Sequence, residues 1–391
     1  MKRWGEGRVA LLILDGVGIG AAPDAAKFGD EDSDTLGNLA RAVGGFELPF
    51  LESLGLGCCR PLVGMKCDHP RAAHGIALPR SPGKDSTTGH WEICGLVLEH
   101  PFPTYPRGFP HSVIAAFSKA TGRGVLGNKP ASGTAIIEEF GQEHLSRGDW
   151  IVYTSADSVF QVAAHEETVP LEELYDACRI AREQVLVDQH AVSRVIARPF
   201  VGHPGELRRT ANRRDFSLEP PRATLLDRLA DAGIARVGVG KVDDLFAARN
   251  ISSTHTPTNG DAYRLVAEAL HTMDRGLLFV NVIEFDQTWG HRNDVPGFYR
   301  GLQELDRELR RLVDLLREGD LMLITADHGN DPTTPSTDHS REAVPVMALG
   351  PGVSPAPLGS RETFADVGAT VAEYFDVEAN VGTSFLRQVV P

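Results

Sequence analysis

Residues 321–339 read LMLITADHGNDPTTPSTDH. Leu321, Met322, Leu323 and Ile324 form an apolar run that leads within three residues to Asp327-His328, and a second pair, Asp338-His339, lies beyond a loop rich in Pro and Thr. An apolar run without polar alternation is what a strand covered on both faces requires. Such strands belong to parallel α/β sheets, which build their sites at the carboxyl ends of the strands. A carboxylate and an imidazole placed there are candidate metal ligands.

Two further stretches repeat the pattern. Residues 9–14 (VALLIL) end at Asp15, which GVGIG follows. The glycine spacing matches neither GxGxxG nor a Walker loop, so it reads as a tight strand-to-loop turn exposing Asp15 rather than a nucleotide site. Residues 277–283 (LLFVNVI) lead to Glu284, Asp286 and then His291. Helices are expected at 222–232, closed by Gly233, at 261–275 with Asp261 as N-cap, and at 364–375; a strand is expected at 235–239. A helix over 300–318, stopped by Gly319, sets Leu302, Leu305, Leu309, Leu312 and Leu316 on one face, which reads as core rather than a partner zipper. This alternation predicts an α/β fold whose mostly parallel sheet core is covered by helices on both faces.

Residues 101–220 differ in texture. Pro-rich segments, HPFPTYPRGFP and LEPPR, bracket expected strands at 151–154 and 192–197 and an amphipathic helix at 171–187. The organisation predicted is core at 1–100, an inserted smaller α/β cap domain at 101–220, and core again at 221–391. The insert carries Arg194, Arg198, Arg208, Arg209, Arg213 and Arg214. Such a charge run is usually a solvated face; its functional alternative is a phosphate clamp, since guanidinium forks match phosphate geometry.

Residues 81–96 read SPGKDSTTGHWEICGL. Three hydroxyls, Ser86, Thr87 and Thr88, precede an expected short helix beginning near Gly89. They serve either as N-caps or as a nucleophile at a helix N-terminus, where free N–H groups and the dipole favour a phosphoryl group.

Composition narrows the partners. The 391 residues, 42% hydrophobic and 24% charged, fit a soluble globular protein of more than one domain. A formal charge of -14 argues against a nucleic-acid partner or an anionic membrane surface. No apolar stretch spans a bilayer, and MKRWGEGR lacks the apolar core of a signal peptide. Five cysteines (Cys58, Cys59, Cys67, Cys94, Cys178) without CxxC spacing read as reduced thiols, mostly small buried apolar residues, of a cytoplasmic protein.

Three strand ends thus deliver Asp15, Asp286 and Asp327, with His291, His328 and His339 close behind. This is too many ligands for one tetrahedral ion and suits two adjacent ions. Oxygen and nitrogen donors without thiolate favour Mn²⁺, Mg²⁺ or Zn²⁺. Two such ions suit phosphoryl transfer.

The stretches LDGVGIGAAPDA, GKDSTTGHWEI, GNKPASGT, YTSADSVFQVAAHEE, RVIARPFVG, GHRNDVPGF, TADHGNDPTTPSTDHSREAVP and TFADVGAT run along nearly the whole chain. Together they resemble the alkaline phosphatase superfamily and, more closely, the bacterial phosphopentomutases. The resemblance implies an alkaline-phosphatase-like core and transfer of phosphate between C1 and C5 of ribose or 2-deoxyribose. It implies that Asp15, Asp327 and His328 hold one Mn²⁺, and Asp286, His291 and His339 the other. Ser86 stands where the family carries its phosphorylated hydroxyl, usually Thr, bridging both metals; Thr87 and Thr88 adjoin it. Ser155, Asp157, Arg194, Arg209 and Lys241 match positions used around the sugar phosphate. The arginines and Lys241 are expected to hold the distal phosphate, and Asp157 to accept from a sugar hydroxyl. A sugar 1,6-bisphosphate or pentose 1,5-bisphosphate would prime the enzyme by phosphorylating Ser86. The rival readings are a metal-dependent phosphohydrolase or a phosphoglycerate mutase on the same core, and a silent protein using metals for structure. Asp338 is expected to orient an imidazole from outside the ligand set.

Overall fold

A computed structural model describes residues 4–155 and 157–390. Its strands in chain order are β1 (Arg8–Leu14), β2 (Ala73–Ala77), β3 (Val125–Pro130), β4 (Trp150–Thr154), β5 (Val159–His165), β6 (Arg194–Val201), β7 (Arg208–Arg209), β8 (Arg214–Ser217), β9 (Arg236–Val239), β10 (Ser253–Thr254), β11 (Gly276–Val282), β12 (Leu321–Thr325), β13 (Val344–Leu349) and β14 (Pro357–Arg361). The chain forms two compact units, one of Met1–His100 with Pro220–Pro391, the other of Pro101–Glu219.

In the first unit eight strands lie in the order β10-β9-β11-β1-β12-β13-β2-β14. β1 sits between β11 and β12, parallel to both, and all three are buried along their length. That burial is why their sequences are apolar without alternation. The register pairs Leu14 with Val282 and Ile13 with Thr325, so the three strands end level. β13 alone breaks the parallel pattern, running antiparallel to β12 and β2. The helix Val295–Val313 buries Leu302, Leu305, Leu309 and Leu312. It stops short of the expected Gly319, although Leu316 beyond it is still buried. The helix expected from Asp261 starts earlier, at Asn259, because Thr258 caps it by accepting from the Asp261 N–H.

In the second unit the strands follow the order β3-β4-β5-β6-β7, and β8 pairs with the first half of β6 on the edge that β7 takes at its far end. One face packs Trp150, Val152, Phe160 and Val195 under the helices His111–Thr121 and Leu171–Ile180. The opposite face packs Ile151, Tyr153 and Phe200 against Ile136 and Ile137 of the helix Gly133–Arg147.

The expectation of five reduced thiols is corrected: Cys58 and Cys67 are joined in a disulfide, nine residues apart, with Cα atoms 4.8 Å apart. The chain turns back between the helix Leu56–Cys59 and β2, which spacing alone did not indicate. Cys59, Cys94 and Cys178 are free thiols, the last two buried. No helix among the described residues is long and apolar enough to cross a membrane.

A buried ion pair fastens the start of β1 to the segment before β12. Asp320 Oδ1 accepts the Arg8 N–H at 3.0 Å, and Oδ2 accepts Arg8 Nε at 3.0 Å and the Arg317 N–H at 2.7 Å. Both side chains are all but inaccessible, so losing one partner strands a charge in the interior. Asp320→Ala should lower unfolding stability by about 3–5 kcal/mol in a urea melt, with no change in ion binding.

Candidate active site

The level ends of β1, β11 and β12 deliver the acidic cluster. Asp15 follows β1 directly; Asp327 lies two residues past β12; Asp286 sits in a short turn of helix after β11. Gly16 makes their approach possible. Its φ is +76°, and a Cβ there would stand 3.2 Å from that of Asp286 and 3.0 Å from that of Asn330. Asp286, His291 and His339 each offer a ligand atom within 4.8 Å of the others, and Asp15, Asp286 and His328 do the same. Asp286 therefore lies between the two groups, whereas the expectation assigned it to one only.

Individual distances define the cluster. His328 Nε2 is 3.3 Å from Asp15 Oδ1 and 3.5 Å from Asp327 Oδ2. His339 Nε2 and His291 Nε2 are each 3.2 Å from an oxygen of Asp286. The Nδ1 atoms of His328 and His291 face the carbonyls of Gly329 (3.0 Å) and Thr337 (2.7 Å), which leaves Nε2 turned inward on both rings. Asp327 Oδ2 and His339 Nε2 are buried without a hydrogen-bond partner. Buried oxygen and nitrogen atoms left without a partner beside two groups of converging ligand atoms are what divalent cations complete, so the residues fit metal ions.

The charges are strongly interdependent. Burial raises the Asp15 carboxyl above its ordinary range, and the Asp327 and Asp286 carboxylates raise it further. Burial also disfavours charge on Asp286, but His339 and His291 overcome it and hold the carboxyl well below that range. Asp327 is held low against burial by His328 and His90. His328 resists the desolvation of its ring because Asp327, Asp15 and Asp286 surround it, and its imidazolium persists well above the usual range.

The hydroxyl segment differs from expectation. The helix begins at Ser86, not Gly89, and runs to Ile93. Asp85 is its N-cap, accepting from Thr88 N–H at 3.0 Å and Thr88 Oγ1 at 2.6 Å. The hydroxyls are thus the first helical residues rather than caps. Ser86 Oγ faces the cluster, 3.0 Å from His328 Nε2 and 3.4 Å from Asp15 Oδ1. Gly89, one turn on, lies against the chain at Asp327, where a Cβ would come within 2.1 Å of the carbonyl oxygen.

The other expected residues are divided between the two units. In the second unit Ser155 and Asp157 follow β4, Arg194 opens β6, and Arg209 lies exposed in β7. Arg194 Nη1 is 3.7 Å from Asp215, and its Nε is buried without a hydrogen-bond partner. Arg213 forms a two-pronged pair with Asp215 at 2.7 Å, so part of the arginine cluster is internally neutralised. Lys241, in the first unit, donates to Gln287 Oε1. Asp338 does not orient an imidazole: it accepts the His339 backbone N–H at 2.9 Å and pairs with Lys84 at 3.4 Å.

Several site residues escaped the sequence reading. Buried His90 directs Nδ1 to the Ser86 carbonyl at 2.9 Å, with Asp327 Oδ2 3.1 Å from the same nitrogen. Asn281 Nδ2 donates to Asp15 Oδ2 at 3.1 Å, and Asn330 Nδ2 to Asp286 Oδ1 at 2.7 Å. Glu342 accepts from Gly20 N (3.0 Å), Thr35 N (2.9 Å), Thr35 Oγ1 (2.7 Å) and Ser340 Oγ (2.7 Å), joining loops on both sides of the cluster. A lone asparagine inside LLFVNVI was the one visible signal.

Residues 7–379 match the model of the Metalloenzyme superfamily. A phosphopentomutase of Carboxydothermus hydrogenoformans is 55% identical over 385 residues, covering 98% of this chain and 99% of its own length. One of Dictyoglomus thermophilum is 53% identical over 386 residues, covering 98% of each. Among solved structures, the PH0037 protein of Pyrococcus horikoshii superposes with a TM-score of 0.50 at 16% identity, over 95% of this chain and 98% of its own, which is a likeness of fold.

Two outcomes follow from the geometry. An ion must displace the proton that the carboxylates hold on His328, so Mn²⁺ affinity should fall about tenfold per pH unit as pH drops below the raised imidazolium pKa. Titration calorimetry in buffers of unlike ionisation heat would read the proton released; no release would contradict it. Gly89→Ala should force helix and strand apart, lowering stability by about 1–3 kcal/mol in a urea melt and weakening Mn²⁺ binding in the same titration.

Proposed function

Since the chain belongs to the metalloenzyme superfamily and, within it, to the phosphopentomutases, we propose that it interconverts ribose or 2-deoxyribose 1-phosphate and 5-phosphate through a phosphorylated Ser86. The observation that carries the mechanism is the Ser86 hydroxyl at the first turn of a helix, turned towards Asp15 and His328. Helix N–H groups and the positive end of the dipole favour a phosphoryl group on that oxygen.

In this reading Asp15, Asp327 and His328 would hold one Mn²⁺ and Asp286, His291 and His339 the other, with Asp286 placed between the two groups and Ser86 beside Asp15 and His328; Mg²⁺ or Zn²⁺ suit the same donors. Bound there, such ions neutralise phosphoryl oxygens and favour the alkoxide form of a hydroxyl. A sugar 1,6-bisphosphate or pentose 1,5-bisphosphate first phosphorylates Ser86. Phosphoserine then gives its phosphoryl group to the C5 hydroxyl of pentose 1-phosphate: the Ser86 O–P bond breaks, a new O5–P bond forms, and the proton lost from O5 is matched by one taken up at Ser86 Oγ. The resulting 1,5-bisphosphate turns end for end; the O1–P bond breaks as the Ser86 O–P bond forms again, the proton lost from Ser86 Oγ is matched by one taken up at O1, and pentose 5-phosphate leaves.

Arg194, Arg209 and Lys241 are the proposed ligands of the phosphate that stays on the sugar, through charge-assisted bonds, and Ser155 and Asp157 of its hydroxyls. The exposed Arg209 and the incompletely paired Arg194 support this role. Retaining phosphate rather than losing it to water requires water exclusion around Ser86.

With Mn²⁺, a bisphosphate primer and ribose 1-phosphate, the protein should yield ribose 5-phosphate; free phosphate as the main product would identify a hydrolase instead. Ser86→Ala should abolish both turnover and labelling of the protein with phosphate, a loss of at least about 10³-fold. Retained labelling would move the nucleophile to another hydroxyl.

A further inference from the structure

Between β2 and the Ser86–Ile93 helix the chain crosses residues 78–85 without regular structure, yet these residues carry the nucleophile into place. A segment without its own hydrogen-bond ladder must have its backbone groups satisfied from outside. On one side the N–H groups of Arg80 and Ser81 donate to the buried Glu92 carboxylate at 2.9 and 2.6 Å. On the other, three alternate carbonyls, Pro79, Ser81 and Gly83, accept from the guanidinium of Arg341 at 2.9, 2.5 and 2.6 Å.

Arg341 is 2% exposed. Its remaining donors form a fork on Asp24, Nε to Oδ1 at 3.0 Å and Nη2 to Oδ2 at 3.2 Å. All five guanidinium N–H groups thus have an acceptor, a set no other side chain can reproduce. The guanidinium also lies over the Phe28 ring, 5.1 Å from its centroid. Its backbone N–H donates to Asp30 at 2.9 Å, and Asp30 in turn holds Lys84 at 3.0 Å, two residues before Ser86. Arg341 stands two residues after His339, so one short stretch carries a member of the cluster and the anchor of the loop that brings Ser86 to it.

We propose that Arg341 is a positioning residue for phosphoryl transfer: by gripping Pro79, Ser81 and Gly83 it fixes the Ser86 oxygen relative to the acidic and imidazole cluster. This rests on the mutase reading above. Arg341 touches neither Ser86 nor any member of that cluster through its side chain, so its effect falls on the nucleophile's alignment and not on ion binding. A lysine in its place keeps one charge and loses the fork.

The test is Arg341→Lys, with Arg341→Gly as a second variant, both assayed with Mn²⁺ and bisphosphate primer. In Arg341→Lys, kcat and the rate of Ser86 phosphorylation should fall together by about 100-fold, as a nucleophile displaced by ~1 Å implies. The KM for pentose phosphate and Mn²⁺ affinity should stay within about threefold. Amide hydrogen exchange of peptides covering 79–88 should quicken, while that of 321–328 is unchanged. Millimolar guanidinium ion should restore part of the lost rate in Arg341→Gly. Should neither variant fold, Asp24→Asn, which loosens only the fork, should lower the phosphorylation rate in the same sense by about tenfold. Normal Ser86 phosphorylation and exchange in a folded variant, or a rate loss that merely tracks lost Mn²⁺ binding, would overturn the proposal. Failure of the unmodified protein to form ribose 5-phosphate would instead overturn the mutase reading, and phosphorylation and exchange would still report on Arg341.

Discussion

Like charges buried side by side are the constraint from which the rest of this site follows. Asp15, Asp286 and Asp327 come to the ends of strands that register holds level, so they cannot separate without breaking the sheet. In a medium of low dielectric each disfavours the ionised form of the others. The His328 imidazolium supplies opposing charge, His291 and His339 lie against Asp286, and Asn281, Asn330 and the Gly16 N–H supply dipoles. The arrangement is poised for cations: it gathers donors whose mutual repulsion two divalent ions would relieve.

The same constraint explains which features could be read from the chain. A strand buried on both faces has to be apolar throughout, so β1, β11 and β12 announced themselves, and the first carboxylate past each was a local fact of sequence. β2 and β14 did not, because they are short pieces, AHGIA and PLGSR, with no period to read; β13, VPVMAL, is apolar and buried throughout, but Pro345 weakens it as a strand signal. The reversed direction of β13 is a tertiary outcome with no local signal. Helix starts were misjudged where two capping residues competed. Asp85 and Thr258 won over their neighbours because each accepts from the N–H three residues on.

The site divides along similar lines. Residues that end strands could be picked out individually, and the structure brings Asp15, Ser86, Asp286, His291, Asp327, His328 and His339 together. Asp286 shared between two ligand groups could not be seen, since proximity across strands is not written in either strand. His90, Glu342 and Arg341 were invisible for another reason: their partners are backbone groups or members of the cluster from distant parts of the chain. Lys84 and Asp338, more than 250 positions apart, are neighbours for the same reason.

Because β13 runs back beside β12, residues 326–343 form a closed loop whose two feet rest on adjacent strands. Near the feet, Gly329 and Ser340 exchange both backbone hydrogen bonds, at 3.1 and 2.7 Å, and each directly follows one of the two Asp-His pairs. The distance between His328 and His339 is therefore set by a miniature ladder and not by what lies between them. Pro335 and Ser336, at the exposed crest, sit beyond that clasp. Such an arrangement separates two demands on one segment: its base is held to the tolerance of coordination chemistry, while the exposed side chains of Pro335 and Ser336, between the carbonyls of Thr334 and Thr337 that hold Asn293 and His291, are open to drift in composition and to the attachment of a reporter.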